Sequence, residues 1–201
     1  VAAYANSSSF ENITVKGSIT RGEKASNTSS SVGGIVGNAT TSVNISNCVN
    51  EVNICKNAPT TDKNYHNSSS VGGIAGKVVK AQISGCVNKG SISGGYAVGG
   101  IVGQTGSSAS SIIRCVNYGD VFANRSGSTK TYASGGIVGN LYIAGDKVEF
   151  CVNYGDVSAN TASAGGVVGT YGGKDAVVEN CYNAGNVSNT YAGGYVGGIA
   201  G

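Results

Sequence analysis

Apolar residues in this chain come in short clusters of four to six, rich in Val and Ile and bounded by Gly, Asn and Ser. Clusters of that length and make-up predict strands; an amphipathic helix needs an apolar stripe sustained over 11 to 18 residues. The clusters also recur. Gly33-Gly34-Ile35-Val36-Gly37 returns at Gly72–Gly76, Gly99–Gly103, Gly135–Gly139, Gly165–Gly169 and Gly197–Gly201, at intervals of 27 to 39 residues. Six glycine pairs oppose a helical repeat, because each interior Gly costs about 1 kcal/mol relative to Ala. Self-similarity at such a period is the mark of a solenoid.

A second phrase follows each of the first five glycine motifs: Cys48-Val49-Asn50, Cys86-Val87-Asn88, Cys115-Val116-Asn117, Cys151-Val152-Asn153 and Cys181-Tyr182-Asn183. Ile45, Ile83, Ile112, Val148 and Val178 lie three residues before the cysteines, and Ile54, Ile92, Val121, Val157 and Val187 six residues after them. Ile13 to Ile19 fits the same frame, with Ile13 in the cysteine place. Each repeat therefore holds three clusters. The fold predicted is all-β, a parallel β-solenoid (β-helix) of about six coils with three short strands each, and residues 1–201 form a single solenoid domain. Because the repeats start and stop partway, the chain reads as a fragment of a longer surface protein.

Spacing separates a rigid part from a variable one. Glycine pair to cysteine is 15, 14, 16, 16 and 16 residues, and cysteine to β-branched residue is always six. From there to the next glycine pair the count is 14, 18, 7, 14, 8 and 10. Variable-length loops thus fall at one corner, and in stacked repeats such a corner is often the binding face. Coils stack about 4.8 Å apart, giving a rod of roughly 30 Å. Its inward ladders should be Ile35, Ile74, Ile101, Ile137, Val167 and Ile199, and Cys48, Cys86, Cys115, Cys151 and Cys181. The glycines are expected to supply positive φ at corners and close approach. The column Asn50, Asn88, Asn117, Asn153 and Asn183 is expected to form a turn ladder.

Composition narrows the function. Only 11% of residues are charged and the net charge is +3, with no basic run, so no nucleic-acid partner is expected. No stretch of 18 apolar residues exists, so no membrane insertion is expected in this segment. Six cysteines lack the close spacing of a zinc knuckle and are read as small apolar core groups, with Cys48–Cys55 the most plausible bridge. His66 is the only histidine and sits in the long polar insertion, which disfavours a Ser–His–Asp relay or catalytic zinc. The glycine motif lacks the lysine and helix of a phosphate loop. No catalytic residue, metal site or cofactor is assigned.

Asp120 and Asp156 occupy equivalent positions, where adjacent coils would set them about 5 Å apart, a spacing suited to a shared proton, calcium or a retaining glycosidase pair. Tyr118 and Tyr154 are equivalent as well, and Tyr65, Tyr132 and Tyr191 lie at the variable corner. Exposed Tyr among Asn and Ser suits recognition surfaces. These seven residues are the candidate ligand surface. Eight Asn-x-Ser/Thr sequons are present and matter only in a eukaryotic secretory protein.

The paired phrases resemble the GLUG-motif repeats of large bacterial cell-surface and adhesin-like proteins, with Ile35, Ile74, Ile101, Ile137, Val167 and Ile199 in the leucine place. The resemblance spans about Phe10 to Gly201. Such repeats also occur beside the peptidase of immunoglobulin A-cleaving metalloproteases, whose His-Glu-x-x-His motif is absent here. The resemblance implies a secreted or cell-surface structural module and supplies no catalytic residue. The expected function is a non-enzymatic extracellular stalk or adhesive module, meeting host or environmental glycans or proteins through its corner loops and open to end-to-end self-association. The alternative is a polysaccharide-binding or polysaccharide-cleaving β-helix protein with Asp120 and Asp156 in a groove beside Arg125 and Lys130. Ice binding would need a Thr ladder, and the threonines do not fall in register.

Overall fold

The computed structural model describes residues 1–20, 30–54, 69–124, 132–160 and 162–201 (Ser69 by its backbone alone). Thirty strands form five parallel sheets of six, each sheet taking one strand from every coil. The fifth coil illustrates the order: Val138–Leu141 in sheet I, Lys147–Glu149 in sheet II, Val152–Asn153 in sheet III, Val157–Ala159 in sheet IV and Ser163–Gly165 in sheet V. The chain then re-enters sheet I at Val168. Six coils are stacked in this way, and no helix occurs among the described residues, so none could cross a membrane.

All three predicted clusters are strands, but two are divided by a bend, which gives five strands per coil where the sequence suggests three. The glycine motif ends sheet V at its first glycine and resumes in sheet I three residues later, with Ile35 buried in the bend. The cysteine segment divides between sheets III and IV in the same way. Register holds the motifs together: Gly72 pairs with Gly99, Ile83 with Ile112, Asn88 with Asn117 and Ile92 with Val121. All large differences in coil length lie between sheets IV and V, where they leave the ladders undisturbed.

The interior has two apolar compartments. Ile35, Val36, Ile45 and Cys48 with their equivalents fill the space behind sheets I, II and III. Val52, Ile54, Val71 and Val98 with theirs fill the space between sheets IV and V. The expected ladders hold: Ile35, Ile74, Ile101, Ile137, Val167, Cys48, Cys86, Cys115 and Cys151 are fully buried. Ile199 departs from expectation at 41% exposed, and Cys181 is half-buried; both lie at the C-terminal end of the described stack. Each fully buried Ile or Val contributes about 1.5–3 kcal/mol.

Between the compartments runs the asparagine column, and here the expectation of a turn ladder is corrected. Asn50, Asn88, Asn117 and Asn153 are fully buried. Each Nδ2 donates to the next amide's Oδ1, at 2.7, 2.7, 2.7 and 2.8 Å from Asn50 to Asn183. The second N–H of each amide donates to the carbonyl two residues on, as from Asn117 to Gly119 at 2.7 Å. These residues are extended; the left-handed positions nearest them lie just before the cysteine place, at Asn12, Asn47, Gly85, Arg114, Phe150 and Asn180.

The motif glycines are likewise not there for positive φ, which among described glycines occurs only at Gly17, Gly85 and Gly145. They are there for space. A Cβ on Gly100 would overlap the Gly136 carbonyl and the Asn117 amide, and one on Gly103 the backbone of Val71 in sheet V. The motif therefore lets sheets V and I meet backbone to backbone while an amide ladder fits against the bend.

Candidate functional site

Side chains alternate strictly through the cysteine segment. Cys151 and Asn153 point in, so Phe150, Val152 and Tyr154 point out, and the same holds for Arg114, Val116 and Tyr118 one coil earlier. The outer face of sheet III is thus ruled into axial columns. In its C-terminal half Tyr118 and Tyr154 are stacked, with ring centroids 5.1 Å apart and planes 9° from parallel. They are 54% and 49% exposed, alongside the exposed Phe150 and Tyr182. Arg114 lies over the Phe150 ring, 5.6 Å from its centroid. In the N-terminal half the tyrosine column is continued by charges: Glu51 bridges Lys16 at 3.2 Å and Lys89 at 3.0 Å. The two lysines hold the Glu51 carboxyl below its usual range through their hydrogen bonds, Lys89 foremost.

Mutual stacking decides what the tyrosines offer. Each spends one ring face on the other, so edges and hydroxyls face outward. Ala184 follows in the column and is too small to cover the far face of Tyr154. An aromatic step therefore stands beside a stripe of half-buried valines, Val116 and Val152.

Asp120 and Asp156 are exposed and in neighbouring coils, as expected, and one oxygen of each is engaged. Asp120 Oδ1 accepts from the Asp156 backbone N–H at 3.2 Å. Asp156 Oδ1 accepts from the Asn186 backbone N–H at 2.8 Å and from its Nδ2 at 3.0 Å. Asn53 does the same for Ser91 at 2.9 Å. Asn53, Asp120 and Asp156 thus each fasten their coil to the next.

The other tyrosines do not join Tyr118 and Tyr154. Tyr132 is only 7% exposed, packed edge-on against Tyr96 with centroids 5.3 Å apart and an interplanar angle of 84°; its assignment to the ligand surface is corrected. Sequence position alone placed it at the variable corner, whereas packing turns its ring inward. Burial and the neighbouring Tyr96 push the Tyr142 hydroxyl up to about 12. Tyr191 is half-buried, its N–H donating to Asn189 Oδ1 at 2.9 Å. Tyr65, His66, Arg125, Lys130 and Cys55 lie outside the described residues; Cys48, the expected partner of Cys55, is a free thiol.

Cys48, Cys86, Cys115, Cys151 and Cys181 are free thiols. Each donates to the carbonyl two residues before it, at 3.2–3.4 Å. Burial pushes the Cys48 thiol up. Hydrogen bonds with Cys151 and Cys86, together with burial, hold Cys115 well above the ordinary range. The same thiol chain lowers Cys86 and Cys151, and full burial keeps Cys86, Cys115 and Cys151 from solvent. Among the described residues no group of three or more His, Cys, Asp or Glu is arranged to hold a metal.

One buried carboxylate escaped the sequence reading. Asp146 is fully buried at the turn between sheets I and II. It accepts from Thr105 Oγ1 at 2.6 Å, the Ser110 N–H at 2.8 Å and the Ile143 N–H at 3.0 Å. Burial raises its pKa, partly offset by those three donors. The sequence signal was its place two residues before Val148, the inward parity of sheet II.

Comparison with known proteins found no matching family model, no matching curated protein and no matching solved structure.

Proposed function

We propose that this chain is a non-enzymatic, extracellular structural module, a stiff rod of a secreted or cell-surface protein that presents ligand-contacting surface. The observation that carries this reading is the division of labour within each coil. In-register ladders and two apolar compartments run coil to coil, while length changes gather at the corner between sheets IV and V. A scaffold that must keep its shape while varying its contacts has this organisation. The stacked, exposed tyrosines add a recognition surface on a rigid support, and the resemblance to GLUG repeats agrees with a surface protein. Asp120 and Asp156 each give one carboxylate oxygen to the backbone of the next coil, a fastening role that favours this reading over a polysaccharide-cleaving one.

The test is a binding and turnover screen of the folded chain against polysaccharides and glycoproteins. Binding without product release, weakened on replacing Tyr118 and Tyr154 by Ser or on shortening the corner loops, is the expected result. Product release abolished by Asp120→Asn or Asp156→Asn would overturn it and make the protein an enzyme.

A further inference from the structure

Cations scattered along the sequence are not scattered in the fold. Seven Lys and Arg side chains lie among the described residues. Lys16 and Lys89 are paired with Glu51, and Arg114 covers Phe150. Of the other four, Lys80 and Lys174 stand in the turns that join sheet I to sheet II, Lys147 opens the sheet II strand after such a turn, and Lys77 lies within the sheet I strand Ala75–Val79; none forms a salt bridge with a described residue. Lys80 and Lys147 line the same open cavity of about 170 Å³, with Gln82 and Ser111 between them. Lys77 extends toward this region across Gly106, where a Cβ would crowd its Cε.

We propose that this corner binds an acidic polysaccharide, taking a carboxylate or sulfate group between Lys80 and Lys147. The inference rests on the reading of the chain as a ligand-presenting surface module, and it names a ligand class and a second face for it. The lining is rich in donors: two ammonium groups, a side-chain amide and a hydroxyl. The nearest acid, Asp146, is buried beneath the turn with its oxygens taken by Thr105, Ser110 and Ile143, so it does not compete for the lysines. Glu149 and Glu179 stand further along the outer face of sheet II, and Asp175 follows Lys174. These acids bound the site and confine a polyanion to the turn.

The make-up of the lining selects the class of polymer. Lys80 belongs to the third coil and Lys147 to the fifth, and the fourth contributes Ser111 instead. The two lysine backbones are therefore about two coil heights apart, ~10 Å along the rod, a gap that their long side chains span to reach one anionic group. A nucleic-acid strand is held by neutralising many phosphates with a row of Lys and Arg, and only two lysines line this cavity. One anionic group flanked by sugar hydroxyls that meet Gln82 and Ser111 describes an acidic polysaccharide better.

The experiment measures binding of the intact chain to heparin (sulfate and carboxylate), polygalacturonate (carboxylate alone), neutral dextran and a single-stranded DNA oligonucleotide over a range of salt. It compares Lys80→Gln/Lys147→Gln with Lys16→Gln/Lys89→Gln, which removes the same charge elsewhere. Expected is salt-sensitive binding to one or both acidic polymers, weakened about tenfold by the first pair and less than twofold by the second. Equal losses from both pairs, DNA bound as tightly as the polysaccharides, or no binding of either acidic polymer overturns the inference. Ligand binding that depends on Tyr118 and Tyr154 but not on Lys80 and Lys147 also overturns it, while leaving the adhesive reading intact.

Discussion

An asparagine in the middle of a β-solenoid is tolerable only if both its amide hydrogens and its oxygen are used, since a buried polar group left unpaired costs about 1–3 kcal/mol. The column from Asn50 to Asn183 meets that condition by handing each bond to the next coil. Asn117→Ala removes an acceptor from Asn88 and a donor from Asn153 at once, and empties space against Gly100. We expect a loss of about 2–4 kcal/mol in urea unfolding; a loss below 1 kcal/mol would remove the ladder from the list of what holds the rod together. Asp146 is a second test at this scale. Its folded pKa is raised by burial, so the folded state binds the proton more tightly than the unfolded chain does. The group's contribution to stability is therefore present at pH below the ordinary carboxylate range and is lost as pH rises through the raised value. Relative to Asp146→Asn, the wild type should lose stability across that window, and a pH-independent difference between them would contradict the assignment.

At the scale of elements, strands as short as two residues persist because each is one rung of a six-strand sheet whose neighbours fix its register. Tolerance to insertion should then depend on the corner chosen. Three residues added between Gly95 and Tyr96, at the corner joining sheets IV and V, should leave the thermal midpoint within a few degrees, since loop closure rises only slowly with length. The same insertion between Lys89 and Gly90 should abolish cooperative unfolding. It displaces Gly90, whose missing Cβ lets the Val52 carbonyl approach, and shifts the strand Ile92–Gly94 by an odd number of residues, which turns its buried face outward. Equal tolerance at both corners would refute the division into rigid and variable parts. The three clusters per repeat and the variable corner were legible in the sequence because spacing and β-branched content record them directly. The bends that split two clusters were not, since they follow from how sheet V meets sheet I across the rod. Tyr132 was misread for the same reason: corner membership does not say which way a ring turns, and its packing on Tyr96 does.

For the whole molecule, two apolar compartments running past a shared amide ladder make the coils depend on one another. Ile137→Asp buries an unpaired charge in the middle of the first compartment, where Ile137 is fully buried. We expect loss of the folded state under conditions where wild type is folded; an unchanged melting curve would mean the core has been misplaced. The repeat period, the strand content, the inward Ile and Cys ladders and the adjacency of Tyr118 to Tyr154 were all fixed by the amino-acid order, because an in-register parallel stack places equivalent positions of successive repeats side by side. The inward direction of the asparagines was written there too, in their parity with the cysteines. Three things were settled only by the closed coil. The glycine pairs serve close backbone approach and not positive φ; Asp146 is buried under a turn; and Lys80 and Lys147, far apart in sequence, line one cavity. Each depends on which residues lie across the coil from one another, and that distance is set by the bends of the backbone, not by the order of the residues along it.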